Sequence, residues 1–180
     1  MRIIAGRFRG VRLAVLGKGD AAAHLRPTTD RVRESLFNIL CNHVGFEGLR
    51  VLDLFAGTGA LGLEAMSRGA EHCTFVDNGR TSLKILGDNI KTTKTGAETA
   101  VLRCPANRLP EGQPCDLIFM DPPYGKDLGI GALNAAMQQG WIAEQALLVW
   151  EDSTLQDAEG WDILTQRNFG GTAISFLERG

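Results

Sequence analysis

Apolar residues recur along the chain in two rhythms. Val32, Leu36, Ile39, Leu40 and Val44 fall at helical spacing and predict an amphipathic helix over about 30–43. Thr28, Thr29 and Asp30 stand ahead of it as capping residues, and Gly45 and Gly48 follow as stops. Short apolar runs at 50–55, 72–76, 99–103, 116–120 and 146–151 predict strands, and 60–68, 80–91 and 128–137 between them predict helices. Two tail segments, 162–164 and 173–177, read as strands joined through Gly170 and Gly171. The alternation from 50 to about 151 predicts an α/β fold with a doubly wound, mostly parallel sheet and right-handed crossovers. Ligands in such sheets sit beyond the carboxyl ends of the strands, which points to residues 53–59, 77–78, 104–106 and 121–124.

Ahead of the first helix the pattern differs. Ile4, Phe8, Val11, Leu13 and Val15 alternate with arginines, which suits short strands with an apolar face and an Arg-rich face, and Gly6 and Gly10 offer turns. Residues 17–27 read as a loop. With 180 residues, 44% apolar and 22% charged, the chain suits a single domain: a basic arm over 1–27, a helix over 28–45, and the sheet with its helices over 50–180.

Charge sharpens the picture of the arm. The first 33 residues hold eight Lys and Arg against two acids, a balance of +6 that leaves −8 on the remaining 147 for a net charge of −2. A globally basic nucleic-acid binder is excluded, but a basic edge on an acidic body suits a polyanion. Arg2, Arg7, Arg9, Arg12, Arg26 and Arg31 are the candidate phosphate contacts, which need not read sequence. Cys41, Cys73, Cys104 and Cys115 form no Cys-x-x-Cys pair and no zinc spacing, so we expect reduced thiols, no metal and a cytoplasmic protein. No apolar run reaches the ~20 residues of a membrane span.

Two motifs carry chemistry. Gly57-x-Gly59-x-x-Gly62 follows the first strand of the sheet, and Asp77 lies 20 residues after Gly57, where an acid can accept from ribose hydroxyls. Asp53 at the strand end would repel a pyrophosphate and attract a cationic ligand bearing an amino group, which favours S-adenosylmethionine over a dinucleotide. The second motif is Asp121-Pro122-Pro123-Tyr124. Two prolines fix φ and leave carbonyls free, and with Asp121 they make a rigid set of acceptors suited to an exocyclic amine. Tyr124 can stack on a base. Acceptors on both N–H groups of the amine localise its lone pair and align it for methyl transfer. Cys104-Pro105 is the only Cys-Pro pair but follows the third strand of the sheet, where a carbon-methylating nucleophile is not expected. His24, His43 and His72 are scattered, and Trp141, Trp150 and Trp161 read as packing residues.

Together these segments resemble the RsmD-type bacterial small-subunit rRNA guanine-N2 methyltransferases, within the class I S-adenosylmethionine-dependent enzymes. The resemblance covers nearly the whole chain. It rests on Met1 to Gly10, Arg26 to Asn38, Asp53 to Gly69, Asp121 to Gly125 and Phe169 to Thr172, of which the first two are the most specific. It implies a seven-stranded Rossmann-like sheet with the last strand antiparallel and a small N-terminal β-hairpin for RNA. It implies methylation of the N2 amine of one guanine in 16S-like rRNA, within an assembled or assembling small subunit; we expect a monomer. By position it assigns Asp53, Phe55, Gly57, Thr58 and Gly59 to the methionine side of the cofactor, Asp77 to the ribose, Asn78 to the adenine side, and Asp121 and Tyr124 to the target base. Arg26, Pro27 and Thr28 would close the site. The family commonly has an acid after the third strand of the sheet, where this chain has Pro105 between Cys104 and Ala106, so a backbone group near Ala106 would have to serve. Asp77 is shorter than the Glu often found there. The motifs leave open a DNA or protein-glutamine amino-methyltransferase and a non-catalytic RNA-binding assembly factor.

Overall fold

The computed structural model describes residues 1–15, 29–123 and 128–180. Four helices and seven strands follow in the order α1 (Asp30–Leu40), β1 (Arg50–Leu54), α2 (Ala60–Arg68), β2 (His72–Val76), α3 (Arg80–Thr93), β3 (Thr99–Leu102), β4 (Cys115–Met120), α4 (Leu128–Gln138), β5 (Ile142–Asp152), β6 (Trp161–Phe169) and β7 (Thr172–Arg179). The sheet order is β3-β2-β1-β4-β5-β7-β6. All neighbours are parallel except those of β7, which runs antiparallel to both β5 and β6. Strand order reverses between β1 and β4, so the two chains leaving this pair diverge and open a crevice.

The central strands read as continuous apolar runs because both faces are covered. Side chains alternate between the faces with a period of two. Val51, Phe119, Val149 and Phe176 join a core with Leu36, Phe37, Leu63 and Leu86. Leu52, Ile118, Met120, Leu148 and Trp150 join the opposite core with Ala132 and Leu133 of α4. Gly129 lets α4 close on the sheet, since a Cβ there would lie 2.2 Å from the Trp150 ring. Among the described residues no helix is long and apolar enough to cross a membrane.

Three boundaries differ from the sequence pattern by three residues or more. The first helix stops at Leu40, where the amides of Asn42 and His43 donate to carbonyls three residues back and tighten the chain into a turn. β5 starts at Ile142, and the register with β4 slips between Cys115 and Leu117. β6 runs the full Trp161–Phe169, although Gln166, Arg167 and Asn168 give it little apolar pattern, because it is an edge strand with a solvated face.

The N-terminal segment is a ribbon with a single antiparallel bridge, Arg2 to Arg12, instead of full strands. Ile3 N–H donates to the Val11 carbonyl at 2.9 Å and Leu13 N–H to the Met1 carbonyl at 3.1 Å. Ile3 and Leu13 are buried in the α1–α2–α3 core, which leaves the arginines outside.

Candidate functional site

Leu54 at the end of β1 pairs in register with Met120 at the end of β4. Phe55 and Asp121 therefore leave the sheet from neighbouring positions. The glycine turn and the Asp121-Pro122-Pro123 segment stand side by side at the switch in strand order.

Phe55 takes a positive φ of 60°. For an aromatic residue that is a strained conformation, worth about 1–3 kcal/mol, and it turns the chain sharply off the strand. Gly57 and Gly59 follow with φ of 56° and 77°. The three glycines have different physical reasons. Among the described residues, a Cβ on Gly57 would meet nothing nearer than the Phe55 carbonyl at 3.9 Å, so they leave that face of the turn open to a ligand's approach. A Cβ on Gly59 would lie 2.5 Å from Leu86, and one on Gly62 2.4 Å from the Phe75 ring, so these two let α2 and α3 close on the sheet.

Acids shape the turn from below and beside. Asp53 is buried, and its Oδ2 accepts from Gly62 N–H at 3.0 Å. Burial pushes its carboxyl up to about 8, against the pull of the Gly62 bond and with a further push from Asp77. Asp77 at the end of β2 uses both oxygens on backbone: Oδ2 accepts from Gly57 N–H at 2.8 Å and Oδ1 from Gly79 N–H at 2.7 Å. The residue expected to meet a ribose thus also fixes the turn, and a carboxylate keeps further lone pairs for a hydroxyl.

Asp121 retains some exposed surface, yet burial first, then the carboxylates of Glu151, Asp53 and Asp152, push its carboxyl well above the ordinary range. Pro122 is buried and Pro123 half-buried. Tyr124, Thr28 and Arg26 lie outside the described residues, with Pro27 and Gly125. Asn78 is exposed beside Asp77. Ala106 is buried against Leu109 and Ile118, so its side chain belongs to the core and only its backbone could meet a ligand. Pro105 is exposed, and its carbonyl accepts from Arg108 N–H at 2.9 Å. No carboxylate stands at that position.

The basic ribbon lies on α2. Arg2 and Arg12, paired across it, are both exposed, as are Arg9 and Arg31. Two like charges directly opposite each other are unfavourable alone and favourable beside a polyanion. Arg7 differs from the free phosphate donor that sequence suggests. Its guanidinium makes a two-bond pair with Glu98, at 2.5 and 3.2 Å, donates to the Met66 carbonyl and lies over the Phe8 ring. The hydrogen bonds from Arg7 hold Glu98 below its usual carboxylate range.

Four polar residues that the sequence reading did not single out fasten the ribbon. Glu64 is fully buried and accepts from Ile4 N–H at 2.8 Å, Ala5 N–H at 3.1 Å and Arg68 Nε–H at 2.9 Å. Ser67 Oγ accepts from Phe8 N–H and donates to the Ala5 carbonyl. Gly6 lies so close to Ser67 that a Cβ would fall 1.8 Å from its carbonyl oxygen. Arg33, wholly buried in α1, donates to the Arg2 carbonyl and to Asp30. Asn89 of α3, also buried, bonds both Ala14 and Thr58. The available signal was a charged or amide residue on an apolar helix face, most visible at Glu64 between Leu63 and Ala65.

Comparison with known proteins identifies the family. The family described as Conserved hypothetical protein 95 matches residues 1–178. The ribosomal RNA small subunit methyltransferase D of Escherichia coli K12 is 40% identical over 185 residues, covering 99% of this chain and 90% of its own. Its namesake in Haemophilus influenzae is 36% identical over 178 residues, covering 94% and 89%. The solved structure of yhhF from Escherichia coli superposes with a TM-score of 0.85 at 36% identity, covering 99% of this chain and 97% of that one. Matched along almost its whole length by a family model and by relatives above 30% identity, the chain belongs to the Conserved hypothetical protein 95 family, together with the small-subunit rRNA methyltransferases D.

Proposed function

We propose that this protein is an S-adenosylmethionine-dependent methyltransferase of 16S rRNA that acts on the exocyclic N2 amine of a guanine. The relatives' names support the rRNA substrate. The observation that carries the amine chemistry is the juxtaposition of the glycine turn with Asp121-Pro122-Pro123 on the paired ends of β1 and β4.

The residues fit the cofactor. Asp53, Asp77 and Asp121 line this edge, and burial holds the carboxyls of Asp53 and Asp121 up; a bound sulfonium and ammonium favour their ionised form, whereas a pyrophosphate would oppose it. The open face of Gly57 admits close approach to backbone. Thr58 and Gly59 continue that surface, with Asp77 and Asn78 toward the ribose and adenine. S-adenosylmethionine supplies a methyl group made electrophilic by its positive sulfur.

The chain's own groups prepare the nucleophile. The Asp121 carboxylate and the carbonyls beside the prolines accept both N–H groups of the target amine, which turns its lone pair toward the methyl. Methyl transfer would place positive charge on the nitrogen and release S-adenosylhomocysteine, and the nitrogen would then lose its extra proton to water. That charge favours the ionised form of Asp121, whose carboxyl is otherwise held up by burial. Most of the rate comes from positioning and from this electrostatic match. Tyr124, next in sequence after the prolines, is the aromatic residue available to a base, and the exposed arginines of the ribbon and α1 hold the phosphate backbone.

The substrate is the small subunit or an assembly intermediate, and the enzyme works as a cytoplasmic monomer. The test uses purified protein, radiolabelled S-adenosylmethionine and small subunits from cells lacking this protein, followed by nucleoside digestion. We expect label in N2-methylguanosine. Label in another nucleoside overturns the amine assignment. Label only in DNA or protein overturns the RNA substrate. Cofactor bound without any transfer indicates an assembly factor.

A further inference from the structure

Asn89 stands where the RNA ribbon and the cofactor turn come together. It is 1% exposed, and its side-chain amide makes three hydrogen bonds to backbone from two other parts of the chain. Its Oδ1 accepts from Ala14 N–H at 2.7 Å, and its Nδ2 donates to the Ala14 carbonyl at 3.1 Å. In effect the side-chain amide pairs with Ala14 as a neighbouring strand would. The same Nδ2 donates to the Thr58 carbonyl at 2.9 Å, inside the glycine turn. Met1, at the other end of the ribbon, reaches that turn too, with its Sδ 4.0 Å from Thr58 Oγ1.

We propose that Asn89 is a positioning residue that couples the two sites, so that bound RNA strengthens cofactor binding and bound cofactor strengthens RNA binding. The inference rests on the assignment of the ribbon to RNA and of the turn to S-adenosylmethionine. The amide is planar and rigid, and its three bonds are met together only when Ala14 and Thr58 hold one relative position. A bond broken there leaves a buried polar group unpaired, so neither side moves independently. RNA that fixes the ribbon fixes Ala14, and through Asn89 it fixes the Thr58 carbonyl. By linkage the effect is reciprocal. Glu64 and Ser67 also hold the ribbon, but their bonds go to Ile4, Ala5 and Phe8 and do not touch the turn.

The test measures binding of radiolabelled S-adenosylhomocysteine by equilibrium dialysis, with and without small subunits from cells lacking this protein. In the native protein we expect subunits to tighten the nucleoside about fivefold or more. In Asn89→Ala we expect that factor to fall below about twofold, with the affinity for each ligand alone changed much less. A structural role alone would weaken each binding event and leave their ratio unchanged. Asn89→Ser keeps a small polar side chain but is too short to bond both the Ala14 and the Thr58 carbonyls, so it gives the same reading if Asn89→Ala does not fold. Coupling retained in a folded variant overturns the proposal. A native protein that binds both ligands independently overturns it while sparing the two site assignments. A native protein that binds neither ligand overturns those assignments as well.

Discussion

The carboxylate of Asp77 holds the amide of Gly57 at 2.8 Å, so the acid that ends β2 sets the shape of the turn that ends β1. Its other oxygen holds Gly79, the residue before α3. Removing the side chain frees two amides and an acidic contact at once. Asp77→Ala is expected to weaken S-adenosylmethionine binding by about 10- to 100-fold, the range of a lost charged hydrogen bond, measured by calorimetry. A change below threefold would count against this role.

Asp121 is expected to act on transfer more than on binding. Asp121→Asn keeps the size of the side chain but loses the charge. Single-turnover methylation should slow by about 100-fold or more, with the Kd for S-adenosylmethionine within about threefold. Equal losses in both would remove Asp121 from the target-base role.

Asp53 makes stability depend on pH in a definite direction. Its folded value of about 8 lies above the ordinary 3.8, so between these values the folded chain holds a proton that the unfolded chain has lost. Stability contributed by the protonated form is complete below pH 4 and lost as pH rises toward 8. Asp121 acts in the same direction. Urea unfolding at pH 5, 6, 7 and 8 should show the native protein losing up to about 1 kcal/mol per pH unit more than Asp53→Asn. Parallel profiles would contradict the protonated state.

The arginines of the ribbon are expected to separate into two kinds. Arg2→Ala and Arg12→Ala should each lower RNA affinity and reduce the slope of log K against log salt by about one. Arg7→Ala should change that slope less, because Glu98 already neutralises it. Binding across 50–200 mM salt decides this, and an Arg7 effect equal to that of Arg2 would mean that RNA displaces Glu98.

Glu64→Ala leaves two ribbon amides and Arg68 without their shared acceptor. Breaking a buried charged contact of this kind costs about 3 kcal/mol. For this length the melting temperature should fall by roughly 6–12 °C. A fall under 2 °C would show that the ribbon does not depend on Glu64 and is held by Ile3, Leu13 and the remaining polar contacts.

The sequence carried the parts of this fold that depend on neighbours in the chain. β1, β2 and β4 read as strands because both faces of a parallel sheet are buried, and Gly57, Gly59 and Asp77 read as a nucleoside site because their spacing is local. Asp121-Pro122-Pro123 was legible for the same reason. Asn89 and Glu64 were not, because their meaning lies 75 and 60 residues away, at Ala14 and Ile4. The pairing of Arg7 with Glu98 spans 91 residues and was equally hidden. β6 was under-read because an edge strand lacks the apolar alternation that sequence reveals.

The place of β7 between β5 and β6 orders how the chain can assemble during synthesis. Among the described residues β6 has no neighbour in the sheet other than β7. A nascent chain that has emerged as far as Gly171 therefore exposes the unpaired edge of β5 and a β6 with nowhere to dock. The parallel part of the sheet, through β5, can form as it emerges from the exit tunnel. The final two strands close as one hairpin only when Thr172–Arg179 is free of the tunnel.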